Sequence, residues 1–385
     1  MANIYGSIAA DDTITSILVA NGGSILQFPI ENLTLFVDSL YAAHNKLLSE
    51  HLGMFVSFTG KRLWNYRGNT NSGGFEKIAE GGLPAMQRNS YSEQIQGIPM
   101  EAYGKALGWT REAFLMMTPE QWRAEHIATL NHDTKNVINR VQDAIFIPTN
   151  STFVDYRTDW FSLPVKAFAN GDSFLYPSGA QGSTFANHNH YLGRIGGSWA
   201  AADMDAAQNT LLEHYPNATI RHLISRSNIS TMTGVSGYTK YEVERVHVST
   251  TDRYSTTKLT SYQDNYKDIR DIGEYNGAVV SALWWIPQNY MITIIESDDV
   301  NHKPLLFRYR GGDETMGSTL PTIYLPNGGG EEPGMGSLRV VKTTDSILNA
   351  ERVEREFGIA ANERLSLCVS KMDNATYSAP SSYGV

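Results

Sequence analysis

The sequence predicts an α+β chain with projecting extensions, on three observations. A stretch with seven glycines and few large aliphatic residues runs from residue 60 to 97 and cannot bury a core of its own. A strongly capped long helix follows from Thr118. Beyond it, helix-period and strand-period segments alternate, as in a mixed α/β layer. At 385 residues the chain exceeds what one hydrophobic core usually serves, so two lobes or a body with long extensions are expected.

Composition narrows the function classes. Apolar residues make up 41% of the chain and charged ones 18%, with 33 glycines, which suits a folded, turn-rich protein and excludes wholesale disorder. Forty acidic residues against 31 basic ones give a formal charge of −9, which disfavours a sequence-reading DNA or RNA binder. The scattered Lys61, Arg62, Arg67, Arg88, Arg123, Arg140 and Arg157 read as a solvated face. Cys368 stands alone, so no internal bridge and no CxxC pair exists, and synthesis in a reducing cytoplasm is expected. Met1 to Tyr5 lacks a signal peptide's basic start, and no apolar run approaches the ~18 residues of a membrane span, so a soluble chain without membrane contact is expected.

Taken in order, residues 1–55 read as an arm ending in a helix near Leu35 to His51, where Leu35, Phe36, Leu40, Leu47 and Leu48 recur at helical spacing. Glu76–Glu80 and Ser90–Ile95 then read as the two runs of a hairpin. A lone two-stranded ribbon is marginal in water. It is read either as a loop lying on a neighbouring subunit or as a mobile surface hairpin. Thr118-Pro119-Glu120-Gln121 supplies an N-cap hydroxyl, proline at the first helical position and glutamine at N3, so a helix starts there. Ile127, Leu130, Thr134, Val137, Val141 and Ala144 form one apolar stripe up to Pro148, suited to lying along a sheet; Thr134 and Ala144 at seam positions argue against a coiled coil. A helix from Trp199 to Tyr215 capped by Ser198, and strands at Thr219–Ser225, Tyr275–Ile286 and Tyr290–Glu296, complete a mixed lobe. The last ninety residues hold a glycine-rich loop, a strand around Leu338 to Lys342, and a terminal strand with Leu365, Leu367 and Val369.

No constellation carries catalysis convincingly. His188 and His190 are two apart and would share one face of a strand, a spacing suited to zinc or copper, but no third ligand accompanies them; a hydrogen-bonding loop is the preferred reading. Asp298-Asp299, Glu331-Glu332 and the pair Asp203 and Asp205 lie in polar stretches, which suits solvation better than general acid/base work. Gly193-Arg194-Ile195-Gly196-Gly197 imitates a phosphate loop and is better read as a turn feeding Ser198. Cys368 alternates with Leu367 and Val369 as a packing residue.

The order of these pieces resembles the major capsid proteins of tailed bacteriophages, the family with the HK ninety-seven fold, over residues 75–371. Glu80-Gly81-Gly82-Leu83-Pro84 through Tyr103-Gly104-Lys105 to Thr110 looks like that family's extended loop, and Thr118 to Ile147 like its spine helix. His188-Asn189-His190-Tyr191-Leu192 is similar to the start of the axial domain in one branch, where the histidines are structural. Tyr275-Asn276-Gly277, Trp285 to Met291 and Lys303-Pro304-Leu305 look like that domain's closing strands and return. Glu356-Phe357-Gly358 with Ala361-Asn362-Glu363-Arg364-Leu365 resembles the C-terminal peripheral strand.

The resemblance implies an N-terminal arm with a short helix (1–55), an extended loop (56–112), a peripheral domain with the spine helix (113–165), an axial α/β domain (166–295) and a C-terminal peripheral part (296–385). It also implies a non-enzymatic shell subunit of pentamers and hexamers, without cofactor or metal, assembled in the host cytoplasm and resident in the virion. Its expected partners are scaffolding, portal and decoration proteins, and packaged double-stranded DNA held without sequence specificity. Lys77, Glu80, Arg88, Tyr91, Glu93 and Lys105 are the residues expected to meet neighbours. Residues 1–50 lack the long charged helical segment of self-scaffolding members, so a separate scaffold or prior cleavage is implied. An encapsulin-type nanocompartment shell shares the fold; a metal-dependent hydrolase using His188 and His190 is the alternative of another class.

Overall fold

The computed structural model describes residues 30–69, 91–156, 159–172, 174, 188–194, 196–241, 270–297, 302–309, 339–344, 348–372 and 375–381. Helix α1 (Ile30–Leu52) starts ahead of the expected Leu35 and buries Leu40, Tyr41, His44, Leu48 and Leu52 along one face. Strand β1 (Val56–Thr59), ribbon strands β2 (Leu63–Asn69) and β3 (Tyr91–Gly97), strand β4 (Glu101–Thr110) and short helix α2 (Arg111–Met116) follow. Then comes α3 (Pro119–Phe146), whose reciprocal cap is the one expected: Gln121 N donates to Thr118 Oγ1 at 3.3 Å, and Thr118 N donates to Gln121 Oε1 at 3.0 Å.

The buried face of α3 is wider than the expected stripe. It includes Trp122, His126, Ile138, Gln142, Ile145 and Phe146, whereas Ile127 and Ala144 are only half-buried. The reason is that α3 lies between several elements and buries polar groups where partners await them. His126 Nδ1 meets Tyr41 Oη of α1 at 3.1 Å, and Gln142 Nε2 donates to Trp285 O at 2.5 Å.

The remaining elements are β5 (Ser151–Asp155), β6 (Phe161–Val165), β7 (Tyr191–Gly193), α4 (Ala201–Leu212), β8 (Thr219–Ser225), α5 (Ile229–Met232), β9 (Tyr238–Lys240), β10 (Arg270–Tyr275), β11 (Ala278–Leu283), β12 (Tyr290–Glu296), β13 (Leu305–Tyr309), β14 (Arg339–Thr344), β15 (Leu348–Ala361) and β16 (Leu367–Lys371). A five-stranded sheet runs β1-β13-β15-β14, with β4 also pairing β15; a seven-stranded sheet runs β7-β16-β12-β8-β11-β10-β9.

The central strands of the seven-stranded sheet, β8, β11, β12 and β16, are buried on both faces, and successive side chains alternate between two cores. Ile292, Ile294, Leu367 and Val369 point into one core with Val141, Ile145 and Phe146 of α3 and with Phe307, Phe357 and Ile359 of the other sheet. Met291, Ile295, Ile224, Val280 and Cys368 point into a second core closed by Met204, Ala207 and Leu211 of α4.

Three expectations need correction. The cap of α4 is Ala200, not Ser198, because Asp203 reaches back to accept from Ala200 N at 3.0 Å. The run Tyr275–Ile286 is not one strand: Asn276 and Gly277 take φ of 46° and 79° and turn β10 into β11 as a two-residue hairpin. Of the run Ala361 to Leu365, Ala361 ends β15 and Asn362 to Leu365 form a corner between the two sheets, after which β16 inserts between β7 and β12. Arg364 fixes that corner. Almost wholly buried, it donates to Ala167 O at 2.6 Å and pairs with Asp172 at 2.8 Å.

Just before the corner, Gly358 lies where the chain entering β4 approaches most closely, and a Cβ there would sit 1.5 Å from the carbonyl oxygen of Pro99. Backbone cannot swing aside as a flexible side chain does. Gly358→Ala is therefore expected to cost about 3 kcal/mol or more, read as a lower denaturant midpoint and lower soluble yield; an unchanged midpoint would refute this packing.

Beneath α4, His222 is wholly buried and neutral. Its Nδ1 meets Thr293 Oγ1 at 3.0 Å, and its Nε2 accepts from Gln208 Nε2 at 3.0 Å. Burial pushes its pKa down to about 3. The stabilisation from keeping this imidazole neutral is complete above the unfolded value near 6.5 and is lost as pH falls toward 3. The expected slope is about 1.4 kcal/mol per pH unit for this histidine alone. Denaturant midpoints from pH 7 to 4 check it, and His222→Gln is expected to flatten the decline; an equal slope in the variant would assign the acid sensitivity elsewhere.

Candidate assembly surfaces and a histidine cluster

The β2–β3 ribbon is rooted on its neighbours at its base. Leu63 pairs with Gly97 and Asn69 with Tyr91. At the root, Gly97 packs on Leu163 and Pro164 of β6, and Gln96 bridges Lys166 through both its amide nitrogen and oxygen. Trp64 packs beside Ile98, Leu306 and Val165. One step out, Ile95 is 47% exposed.

The expected run Ser90–Ile95 is thus a strand, but its described partner is 63–69; the run Glu76–Glu80 lies outside the described residues, as do Lys77, Glu80 and Arg88. Tyr91 and Glu93 stand on β3, opposite Asn69 and Arg67 in the register. Lys105 is not on the ribbon. It lies in β4 opposite Val353, because β4 pairs with β15 along its whole length from Glu101 to Thr110. Residues 56–59 and 101–110, inside the span expected for the loop, are strands of the five-stranded sheet.

A second projection was not anticipated. The β5–β6 hairpin exposes Val154, Tyr156, Phe161 and Trp160, the last at 73%. Trp160 holds φ of 61°, a conformation unusual for a bulky residue, and its N–H donates to Asp155 O at 3.0 Å. Arg62, beside the ribbon root, pairs with Asp159 at 2.8 Å and stacks over Phe161 at 5.3 Å. The two projections therefore share one surface. The sequence signal was Tyr156 and Trp160-Phe161 flanking a short turn, aromatic residues with no apolar partners of their own.

The histidines also gain a member. His188 and His190 are joined by His214 from the turn after α4, with ring centroids 4.8 Å apart for His188 with either partner and 5.4 Å for His190 with His214. His190 is wholly buried; its Nδ1 lies 2.7 Å from Leu367 O and its Nε2 lies 3.4 Å from His214 Nε2. Burial pushes all three pKa values down: His190 far down, His214 to about 4 with help from His188, and His188 less, opposed by Glu213. His214 was missed because it lies 24 residues from His190, in a segment with no ligand pattern.

No family model and no curated protein matches the sequence. Solved structures do match by shape. A structure from Mycobacterium phage Patience aligns with a TM-score of 0.65 at 16% identity, over 88% of this chain and 87% of that one. The asymmetric unit of the bacteriophage PhiM1 mature capsid aligns at 0.45 and 8% identity, over 84% and 86%. The holo-SrpI encapsulin complex from Synechococcus elongatus aligns at 0.42 and 10%, over 86% and 89%. The chain has the HK ninety-seven-like phage capsid fold.

On this HK ninety-seven-like fold, the other candidate chemical groups are tied up in structure. Asp203 caps α4 and lies 3.4 Å from Arg194, while Asp205 accepts from Tyr275 Oη at 2.9 Å. Burial drives the Cys368 thiol up to about 12, so it is no nucleophile at neutral pH. Asp298-Asp299 and Glu331-Glu332 lie outside the described residues. No described helix is long and apolar enough to cross a membrane.

Proposed function

We propose that the chain is the major capsid protein of a tailed bacteriophage, a structural subunit that assembles into the pentamers and hexamers of an icosahedral head. The observation that carries this reading is the apolar surface left bare on two projecting ribbons of a capsid-type fold: Ile95 on one, Val154, Tyr156, Trp160 and Phe161 on the other. Patches of this kind mark contact surfaces in soluble proteins. Repeated heterologous contacts about an axis close into rings.

Under this reading the β2–β3 ribbon belongs to the extended loop, α3 and the five-stranded sheet form the peripheral part, and the seven-stranded sheet with α4 forms the axial part. Lys77, Glu80, Arg88, Tyr91 and Glu93 remain proposed neighbour contacts on the loop, with Lys105 proposed at its foot. Scaffolding, portal and decoration proteins are proposed partners, and assembly in the host cytoplasm the proposed route. The charge of −9 suits a wall that encloses double-stranded DNA without gripping it.

Negative-stain microscopy of the expressed protein, alone and with its neighbouring gene products, tests the reading. Regular shells or capsomers are expected. A monodisperse monomer under all these conditions refutes it, and particles filled with a cargo enzyme in place of DNA would assign the shell to a nanocompartment.

A further inference from the structure

His188, His190 and His214 bring one ring nitrogen each to within 4.8 Å of the others. They come from two pieces of the fold, the segment that leads into β7 and the turn after α4. His190 is pinned beside β16, its N–H donating to Ala169 O at 2.8 Å and its carbonyl accepting from Val369 N at 2.9 Å. His188 precedes it in the same segment, and His214 closes the turn after α4, its N–H donating to Leu211 O at 3.1 Å.

We propose that these three imidazoles form a binding site for one divalent cation of the zinc class, which would staple the edge of the seven-stranded sheet to the end of α4. The spacing of His190 and His214 supports it. Two nitrogens each about 2.0–2.1 Å from a tetrahedral zinc ion sit roughly 3.3–3.4 Å apart, and these two nitrogens are 3.4 Å apart. That separation is long for a hydrogen bond, which usually spans about 2.7–3.2 Å. The third nitrogen has to move inward by at most about 1.4 Å to complete the set, and His188 is half-buried on the segment's outer end.

The surroundings suit metal ligation as well. His190 donates its Nδ1 proton to a backbone carbonyl, Leu367 O, as histidine ligands commonly do, and this leaves Nε2 as its lone-pair nitrogen, 3.4 Å from His214 Nε2. Burial keeps all three rings neutral at pH 7, the state that ligates. The nearby charges oppose one another: Arg364 acts against a cation at His190, Asp172 neutralises it at 2.8 Å, and Glu213 acts in the cation's favour at His188. With three protein ligands the fourth position falls to water. A structural tie needs nothing more, and no reaction is assigned to it.

Full-length protein stripped with a chelator and titrated with Co²⁺ tests the site independently of whether the chain builds shells. Uptake is expected to saturate at one Co²⁺ per chain, with the visible ligand-field bands of a tetrahedral ion, and Zn²⁺ is expected to displace it and raise the melting temperature. His214→Gln and His188→Gln, at partly exposed positions, are each expected to weaken Co²⁺ binding by more than about 100-fold, since even outer-shell changes cost 10- to 100-fold. Non-saturable uptake by the unaltered protein overturns the proposal whatever the variants do. So does an affinity and spectrum unchanged in whichever variant folds.

Discussion

Arg355→Ala is expected to lower folding stability by about 3–5 kcal/mol, enough to abolish soluble expression of a marginally stable subunit. Arg355 is almost wholly buried in β15. Its Nε donates to Asp133 Oδ1 at 2.9 Å, and its Nη2 donates to Asp133 Oδ2 at 2.7 Å and to Asn45 Oδ1 at 2.8 Å. His44 Nε2 lies 2.8 Å from Asp133 Oδ2 as well. One carboxylate thus ties α1, α3 and β15 together, and removing the guanidinium leaves it buried without a charged partner, with only the His44 hydrogen bond kept.

Ionisation at this knot follows from competing effects. Burial raises the Asp133 pKa, but the Arg355 charge and the hydrogen bonds from His44 and Arg355 outweigh it and bring it down to about 2. Burial holds His44 below its usual value despite Asp133, so the His44–Asp133 contact is a hydrogen bond from a neutral imidazole and not an ion pair at pH 7. The stabilisation from Asp133 is therefore complete above about 4 and lost as pH falls toward 2. Denaturant midpoints of Arg355→Ala and of the double change Arg355→Met with Asp133→Leu check the account. The double variant is expected to recover much of the loss, because an apolar pair of similar size removes the stranded charge. A loss below about 1 kcal/mol in the single variant would mean the pair is open to water.

Trp160→Asn is expected to reduce particle yield more than tenfold while leaving the subunit's own denaturant midpoint within about 0.5 kcal/mol. The indole is 73% exposed, so its removal leaves no cavity in the subunit. Asparagine tolerates the left-handed backbone at φ of 61° better than tryptophan does. A buried tryptophan anchor typically contributes 2 kcal/mol or more to an interface, and each subunit of a ring repeats the contact. Sedimentation or electron microscopy of the variant reads the outcome; wild-type yields would take the β5–β6 hairpin out of the interface.

What could be read in the sequence was what short-range chemistry decides. The Thr118 to Gln121 cap lies within four residues, so it fixed the start of α3 to the residue, and strands β8 and β12 match their expected bounds because each is a short run rich in β-branched and aliphatic residues with turn residues on both sides. The hairpin at Asn276-Gly277 was legible too, through its turn dipeptide, but apolar residues on either side masked it.

Long-range placement was not legible. After β15 the chain leaves the five-stranded sheet and enters the seven-stranded one as β16 at a corner where Arg364 finds its carbonyl partners at Ala167 and Phe168, nearly 200 residues earlier. His214 reaches His190 only because α4 packs across the sheet in which β16 lies beside the edge strand β7. The outer residues of α3 were misjudged for the same reason, since burial of His126 and Gln142 depends on Tyr41 and Trp285 being delivered by other parts of the chain.

Amide hydrogen exchange, compared between assembled particles and dissociated subunits, tests most directly whether the ribbons depend on neighbours. Strands 63–69 and 91–97 and the hairpin 151–165 are expected to exchange slowly in particles and at least tenfold faster in free subunits, while α3 and the seven-stranded sheet stay protected in both. Equal protection of the ribbons in the two states would contradict the account, because it would show that each subunit stabilises its own projections.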